Sequence, residues 1–319
     1  MSLVGKIAIV TGASRGIGRG IALQLGSAGA TVYVTGRKPQ DSLSSKVEGM
    51  PHLEETAREI TERGGKGIAS FVDHSNMDEV KRFFEKVQEE QGGQLDILVN
   101  NAYSGVKAIT DNLGKKFYDC EPEMWDEINN VGLRNHYFCS VYAARMMSKK
   151  KDGLIVNISS AGGLQYIFNV PYGVGKQAVD RLGEDMAHEL KSDNVTVITL
   201  WPGAVKTELI TNYFEKTGSV MGTEIMTESF MNGETIEYPG KAVVAVAQDP
   251  KKMRKTGKIL ITADLGAEYG FKDIDGRDPP NLRSLSGCLK HLGWKTTASF
   301  IPSFIKLPGI VMWAATCRL

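Results

Sequence analysis

Tyr172 and Lys176 stand four residues apart, just behind Pro171, in a stretch whose pattern predicts a helix over residues 172–190. Proline suits a first helical turn, where its missing N–H is no loss, and a four-residue separation puts two side chains on one helix face. A phenol titrates near 10 in water, and an ammonium group beside it favours the phenolate. Such a pair can give or take a proton near neutral pH. Spacing alone is weak support, because Tyr103 and Lys107 share it in what reads as a loop. What singles out Tyr172 is the segment upstream, where the strand-like Ile155-Val156-Asn157-Ile158 ends in Ser159 and Ser160. A strand that delivers two hydroxyls at its carboxyl end can set one of them against a substrate oxygen as negative charge develops there.

Residues 11–18, Thr-Gly-Ala-Ser-Arg-Gly-Ile-Gly, form a second constellation directly after the apolar run Ile7-Ala8-Ile9-Val10. Gly12, Gly16 and Gly18 permit a tight turn, a close backbone approach and close helix–strand packing, and the helix that starts there offers free N–H groups to a pyrophosphate. The next apolar run ends Val34-Thr35-Gly36-Arg37-Lys38, without the carboxylate that would hold the ribose hydroxyls of NAD. Arg15 and Arg37 instead offer guanidinium groups to a 2′-phosphate, which favours NADP(H).

Both constellations need strands that end on the same side of one sheet. Short β-branched runs are expected as strands at residues 6–11, 31–35, 67–72, 95–100, 153–159, 195–200 and 258–262. Between them, helical patterns cover residues 17–27, 53–63, 77–91, 124–147 and 172–190. Near-continuous apolar strands alternating with helices imply an α/β fold: a Rossmann-type, doubly wound, seven-stranded parallel sheet with helices on both faces. Residues 1–270 are expected to form one dinucleotide-binding catalytic domain and residues 271–319 an appendage. Residues 38–52 read as a polar insertion, and residues 208–239 as a long irregular lid. A net charge of +1 gives no reason to invoke nucleic acid. The four cysteines and five histidines show no ligand spacing, so no metal is expected. The first six residues run straight into a strand, which reads as a chain without a signal peptide.

Taken together, TGASRGIG, Leu98-Val99-Asn100-Asn101-Ala102, the Ser160–Tyr172–Lys176 set and Pro202-Gly203-Ala204-Val205-Lys206-Thr207 resemble the short-chain dehydrogenase/reductase superfamily, in that family's order and over residues 5–266. One subgroup is approached more closely, through LVNNAYSGV, MWDEINNVGLRNHYFCSVY and FNVPYGVGK. The resemblance implies that Gly12, Ser14, Arg15, Gly16, Ile17 and Gly18 cradle the cofactor, with Pro202 and Gly203 in the same site. It implies further that Asp73 meets the adenine, Asn100 lies beside the adenosine, and Val205 and Thr207 reach the nicotinamide carboxamide. Ser160, preferred to Ser159, would orient the substrate oxygen, Tyr172 would move the proton, and Lys176 would tune Tyr172 and bind ribose. Two departures stand out. Tyr103 replaces the glycine that ends the family's NNAG motif, where it would either narrow the pocket or pack against the next helix. Gly132 falls where the family's long helix carries an asparagine that holds a relay water, and Asn129 and Asn130 face elsewhere on a regular helix.

The pocket rim is expected from residues 165–169, Trp201 and the lid, with Tyr166, Ile167, Phe168, Trp201, Tyr213 and Phe214 making an apolar cavity for a bulky carbonyl such as a steroid or xenobiotic ketone. The tail holds Phe300, Phe304, Trp313, Lys306 and Arg318, which suit an interfacial segment, a contact with its own domain or a contact with another subunit. Its last apolar run is shorter than the ~20 residues that span a bilayer. The expectation is therefore an NADPH-dependent carbonyl reductase or alcohol dehydrogenase whose partner is a small-molecule substrate, a bulky apolar carbonyl. By resemblance it self-associates as a homodimer or homotetramer and sits peripherally on the cytosolic face of the endoplasmic reticulum, with the cytosol as the alternative. A catalytically weak NADP-binding scaffold and a reductase of enoyl or dienoyl thioesters are the rival functions.

Overall fold

Successive strand residues point to opposite faces, and in β1 (Ile7–Val10) both faces are apolar. Ile7 and Ile9 join one core while Ala8 and Val10 join another, all of them buried. A strand buried on both sides belongs inside a parallel sheet with helices above and below. The computed structural model, which describes residues 2–38, 50–219, 224–281, 283–291, 294–302, 305–308 and 311, contains that sheet. After β1 come β2 (Thr31–Gly36), β3 (Lys66–Phe71), β4 (Ile97–Asn100), β5 (Gly153–Ile158), β6 (Val195–Trp201) and β7 (Ile259–Ile261). All pair in parallel, in the order β3-β2-β1-β4-β5-β6-β7. Every strand read from the sequence is present.

The helices, in chain order, are α1 (Gly16–Ser27), α2 (Leu53–Glu62), α3 (Met77–Glu90), α4 (Val106–Asp111), α5 (Met124–Asn129), α6 (Asn135–Lys150), α7 (Val170–Leu190), α8 (Glu208–Thr217), α9 (Glu224–Met231), α10 (Tyr238–Gln248), α11 (Thr262–Tyr269), α12 (Leu285–His291) and α13 (Lys295–Ser299). One face of the sheet is covered by α1, α2, α10 and α11 through Ile21, Leu25, Ile60, Val243, Val246 and Leu265. The other is covered by α3, α6 and α7 through Phe83, Phe84, Val87, Cys139, Met147 and Ala187. The chain leaves β1 toward β2 and β3, then returns across the sheet to β4. That reversal opens a crevice at the carboxyl ends of β1 and β4, where folds of this type take their ligands.

Three expectations need correction. The helix expected over residues 124–147 is broken: a π-helical turn, Asn130–Arg134, separates α5 from α6. One extra residue per turn resets the faces of everything before it, and such turns gather at functional sites. The lid expected to be irregular is largely helical. Leu209, Ile210, Tyr213 and Phe214 recur at helical spacing, and Thr207 caps α8 by accepting from Ile210 N at 3.4 Å. Lys107, read as a loop residue, lies in α4.

The segment after α11 folds back on its own domain. Asp264 of α11 receives Asn281, Arg283 and Lys306, and Asp273 holds Thr235. Phe304, Trp313 and Arg318, assigned an interfacial role from sequence, lie outside the described residues, as does most of the 38–52 insertion.

Candidate active site

The glycine turn between β1 and α1 is shaped by backbone demands. Gly12 and Gly16 have φ of +66° and +59°, in the left-handed region that favours glycine, and a Cβ on Gly12 would come within 2.7 Å of Ala102 Cα. The Asn101 amide donates to Thr11 O at 2.9 Å and Gly12 O at 3.0 Å, while Thr11 Oγ1 accepts from the main-chain N–H groups of Asn101 and Ala102. The segment after β4 therefore braces the turn. Arg15, the N-cap of α1, is extended and makes no side-chain cap, which leaves the first N–H groups of the helix available to an anion. A carboxylate sits there: Glu208, from the first turn of α8, accepts from Gly16 N at 2.8 Å. Thr207 abuts the same glycine, its methyl 3.4 Å from where a Cβ would stand. Burial, and then the charge of Arg37, hold the Arg15 guanidinium below its ordinary value, while Glu208 opposes them. Arg37 is exposed at the end of β2. A positive N-terminus, two guanidinium groups and a glycine cradle are what a phosphorylated dinucleotide requires, so these residues fit the cofactor.

The remaining cofactor candidates divide. Ser14 and Ile17 lie in the turn and at the start of α1, and Asp73 follows β3, half exposed, accepting from Ser75 N at 2.8 Å. Gly18 packs where a Cβ would strike the Asn101 amide. Val205 is buried and bridges Glu234, and Gly203 N donates to Glu234 Oε1 at 2.9 Å, next to Pro202. Asn100 differs from expectation. Its side chain is fully buried, donating to Ser140 Oγ and Asn157 Oδ1 at 2.9 Å each, and it ties β4 to β5 and α6 instead of facing the crevice. The neighbouring Asn101, not singled out from sequence, does the work at the turn. Strand alternation was the available signal, since consecutive residues leave a strand on opposite sides.

Tyr172 reaches the crevice from the first turn of α7. Asn169 caps that helix by accepting from Tyr172 N at 2.9 Å, and Pro171 fills the first turn. Ser160 leaves the end of β5 beside it, its Oγ accepting from Gly162 N at 3.0 Å, and a Cβ on Gly162 would strike the Tyr172 ring. Burial pushes the Tyr172 phenol up, and the Ser160 hydroxyl pulls it back. Ser159 is turned the other way, donating to Lys176 O at 3.2 Å. Lys176 lies one turn on, buried, with its Nζ donating to Ile158 O at 3.1 Å. Burial lowers its ammonium to about 8, with the Asp180 charge opposing. The arrangement joins a proton-bearing phenol, a second hydroxyl and a buried cation, all at the carboxyl end of β5.

The π-helical turn changes the surroundings of this group. Asn129, expected to face away on a regular helix, points at α7: its amide donates to Pro171 O at 3.2 Å and its side chain packs on Gly175. Tyr103 does not lie idle in a loop. Its ring stands edge-on to Tyr172, with centroids 6.3 Å apart, and Lys176 Nζ is 5.0 Å from its centroid. It both narrows the site and packs on the turn holding Gly132. Phe168, in the left-handed region at φ +65°, sets its ring 4.9 Å from Tyr172 and, with Ile167, joins an apolar patch with Ile109, Met124 and Ile128. Tyr166 is exposed, and Tyr213 and Phe214 are half-buried on α8. Trp201 is not on the rim. It is buried with Ile261 and Ala263, and its Nε1 donates to Asp180 Oδ1 at 3.0 Å, so it supports α7 from behind.

Comparison with known proteins agrees with this geometry. The family model for short chain dehydrogenases matches residues 6–218. The chain is 48% identical to human dehydrogenase/reductase SDR family member 1 over 310 residues, 95% of each chain, which is the subgroup the sequence strings resemble. It is 36% identical over 211 residues to the 3-oxoacyl-acyl-carrier-protein reductase of Vibrio harveyi, covering 66% of this chain and 77% of that one. Among solved structures it is similar to a metagenomic short-chain oxidoreductase in complex with NADP, with a TM-score of 0.62 and 27% identity over 82% of this chain and 97% of that one. A family match over most of the catalytic region, on a sheet and crevice of the matching kind, means that this chain belongs to the short-chain dehydrogenase family of oxidoreductases.

Proposed function

We propose that the protein is an NADPH-dependent carbonyl reductase, working also as an alcohol dehydrogenase, on bulky apolar carbonyls such as steroid or xenobiotic ketones. The observation that carries this is the convergence of Tyr172, Ser160 and Lys176 at the carboxyl end of β5, beside a crevice whose far wall is the glycine turn. Gly12, Ser14, Gly16, Ile17 and Gly18 would hold the dinucleotide, Arg15 and Arg37 its 2′-phosphate, and Pro202, Gly203, Val205 and Thr207 its nicotinamide end. Bound NADPH supplies the hydride that the carbonyl carbon receives. The phenol of Tyr172 gives its proton to the carbonyl oxygen, and Ser160 donates a hydrogen bond to the same oxygen as charge builds there. In reduction the phenol must arrive protonated, and burial keeps it so. Lys176 then stabilises the phenolate that remains. Phe168 and Ile167 beside Tyr172 favour an apolar substrate.

The test is titration with NADPH and NADH, followed by NADPH consumption across bulky ketones and unsaturated acyl thioesters. Tighter binding of NADPH and ketone-dependent turnover are expected. Tight cofactor binding without turnover would instead favour a scaffold, and consumption of thioesters but not ketones a double-bond reductase.

We propose also that the tail touches the cytosolic face of the endoplasmic reticulum. Trp294, Phe300 and Ile305 support this by being exposed, Phe300 at 82%. Removal of residues 300–319 should then release the protein from membrane fractions. Self-association through α6 and α7 is proposed on the exposed Tyr137 and Val174 they carry, and light scattering would give its order.

A further inference from the structure

We propose that Tyr103 is a positioning residue for Lys176: its ring fills the space that Gly132 leaves empty of side chain and presents a π face to the buried ammonium group. The inference rests on the reading of Tyr172 as the proton donor. A Cβ on Gly132 would lie 2.6 and 2.8 Å from Cδ2 and Cε2 of Tyr103, so the ring and any side chain at 132 exclude one another. The same ring lies 5.0 Å from Lys176 Nζ, nearer than the Tyr172 ring at 6.0 Å. An ammonium has three donors, and the hydrogen bond described for this one goes to Ile158 O. Desolvation makes a cation over a ring count for more than it would at the surface.

The ring acts on Lys176 beside one charged neighbour, Asp180. Asp180 and Tyr172 belong to its own helix, and Asp180 is engaged by Trp201. From α6 comes His136, which burial and the Lys176 charge push down to about 3, so it is neutral and offers the ammonium no negative charge. Tyr103 is the group facing it from the segment after β4. The Tyr103 hydroxyl is buried without a hydrogen-bond partner among the described residues and points at Gly105, where a Cβ would lie 2.6 Å away. The ring therefore matters, and the hydroxyl does not.

The experiment is an NMR titration of lysine side chains in the full-length protein, with the Lys176 signal assigned by its loss in Lys176→Met. Tyr103→Leu, which removes the π face, should lower the Lys176 midpoint by about one pH unit, and Tyr103→Phe should leave it in place. In alcohol oxidation, the limb that rises with pH should move upward in Tyr103→Leu only, because a less charged lysine favours the phenolate less. Tyr103→Met serves the same purpose should the leucine variant not fold. An unmoved midpoint in Tyr103→Leu or Tyr103→Met, or equal shifts in these and Tyr103→Phe, would overturn the proposal. A shifted midpoint in a protein that turns over no ketone or alcohol would refute the functional reading and retain the role of Tyr103. Turnover with an unmoved midpoint would do the reverse.

Discussion

The two walls of the crevice are built on different principles. The glycine turn is a backbone device: left-handed glycines, uncapped helix N–H groups and an asparagine amide, with partly accessible guanidinium groups at its edge. The Tyr172 corner is a side-chain device, buried, with an ammonium, a phenol and a cap from α7 and its N-cap and a second phenol from the segment after β4. Backbone groups keep their polarity whatever surrounds them, so the turn can bind an anion while open to water. The corner depends on exclusion of water, because only burial makes the proton-bearing groups respond strongly to each other. The first wall should tolerate change in its neighbours, and the second should not.

Removing the hydroxyl at the corner tests the contrast most severely. Tyr172→Phe should lower turnover by roughly 10²–10⁴ with cofactor affinity almost unchanged, as measured by steady-state kinetics beside a fluorescence titration. A comparable loss of cofactor binding would show that the two walls are not separable. At the other wall, Arg37→Ala should weaken NADPH binding by about 10- to 100-fold and NADH binding little, since a charge-assisted hydrogen bond contributes about 1.5–3 kcal/mol. Equal losses for both nucleotides would remove the assignment of the 2′-phosphate.

Packing provides the next test. Gly132→Ala forces a methyl group against the Tyr103 ring, so it should cost about 1–3 kcal/mol and lower the melting temperature, with partial recovery in a Tyr103→Leu background. Simple additivity in that double-mutant cycle would mean that the two positions do not compete for space. Glu234→Gln probes the joint between lid and sheet. Glu234 accepts from Gly203 N and Thr262 Oγ1, and burial raises its carboxyl from 4.5 to about 7. A raised carboxyl binds its proton more tightly when folded, so wild-type stability is lost as pH rises from about 4.5 through about 7, and the glutamine variant should lack that loss. Melting temperatures at pH 5 and pH 8 would then diverge by a few degrees between the two proteins. The smallest effect is expected at Glu208. Its carboxylate competes with phosphate for Gly16 N, so Glu208→Gln should tighten NADPH binding a few-fold, and weaker binding would show that the contact supports the cofactor-bound form.

The same contrast explains what could be read without coordinates. The glycine turn lies within eight consecutive residues, and its demands on φ select residue types that stand out in a sequence. The seven strands, likewise, announce themselves because a parallel strand buried on both faces must be apolar throughout. The Tyr172–Lys176 pair stood out once a strand and a helix were placed around it, and Ser160, not Ser159, lies beside Tyr172. Asn100 and Trp201 were misplaced because strand alternation separates consecutive residues onto two sides but does not by itself say which side carries the ligand.

The sequence by itself determined the α/β fold, the glycine turn after the first strand and the Tyr172–Lys176 pair proposed to handle the proton, since each follows from local periodicity or from residues close along the chain. Only the tertiary structure decided what surrounds that pair. The π-helical turn swings Asn129 onto Pro171, Tyr103 enters the space at Gly132, and Glu208 reaches Gly16 across 192 positions of chain. Those contacts are steric and electrostatic agreements between distant segments, and no local pattern records them until the sheet brings the segments together.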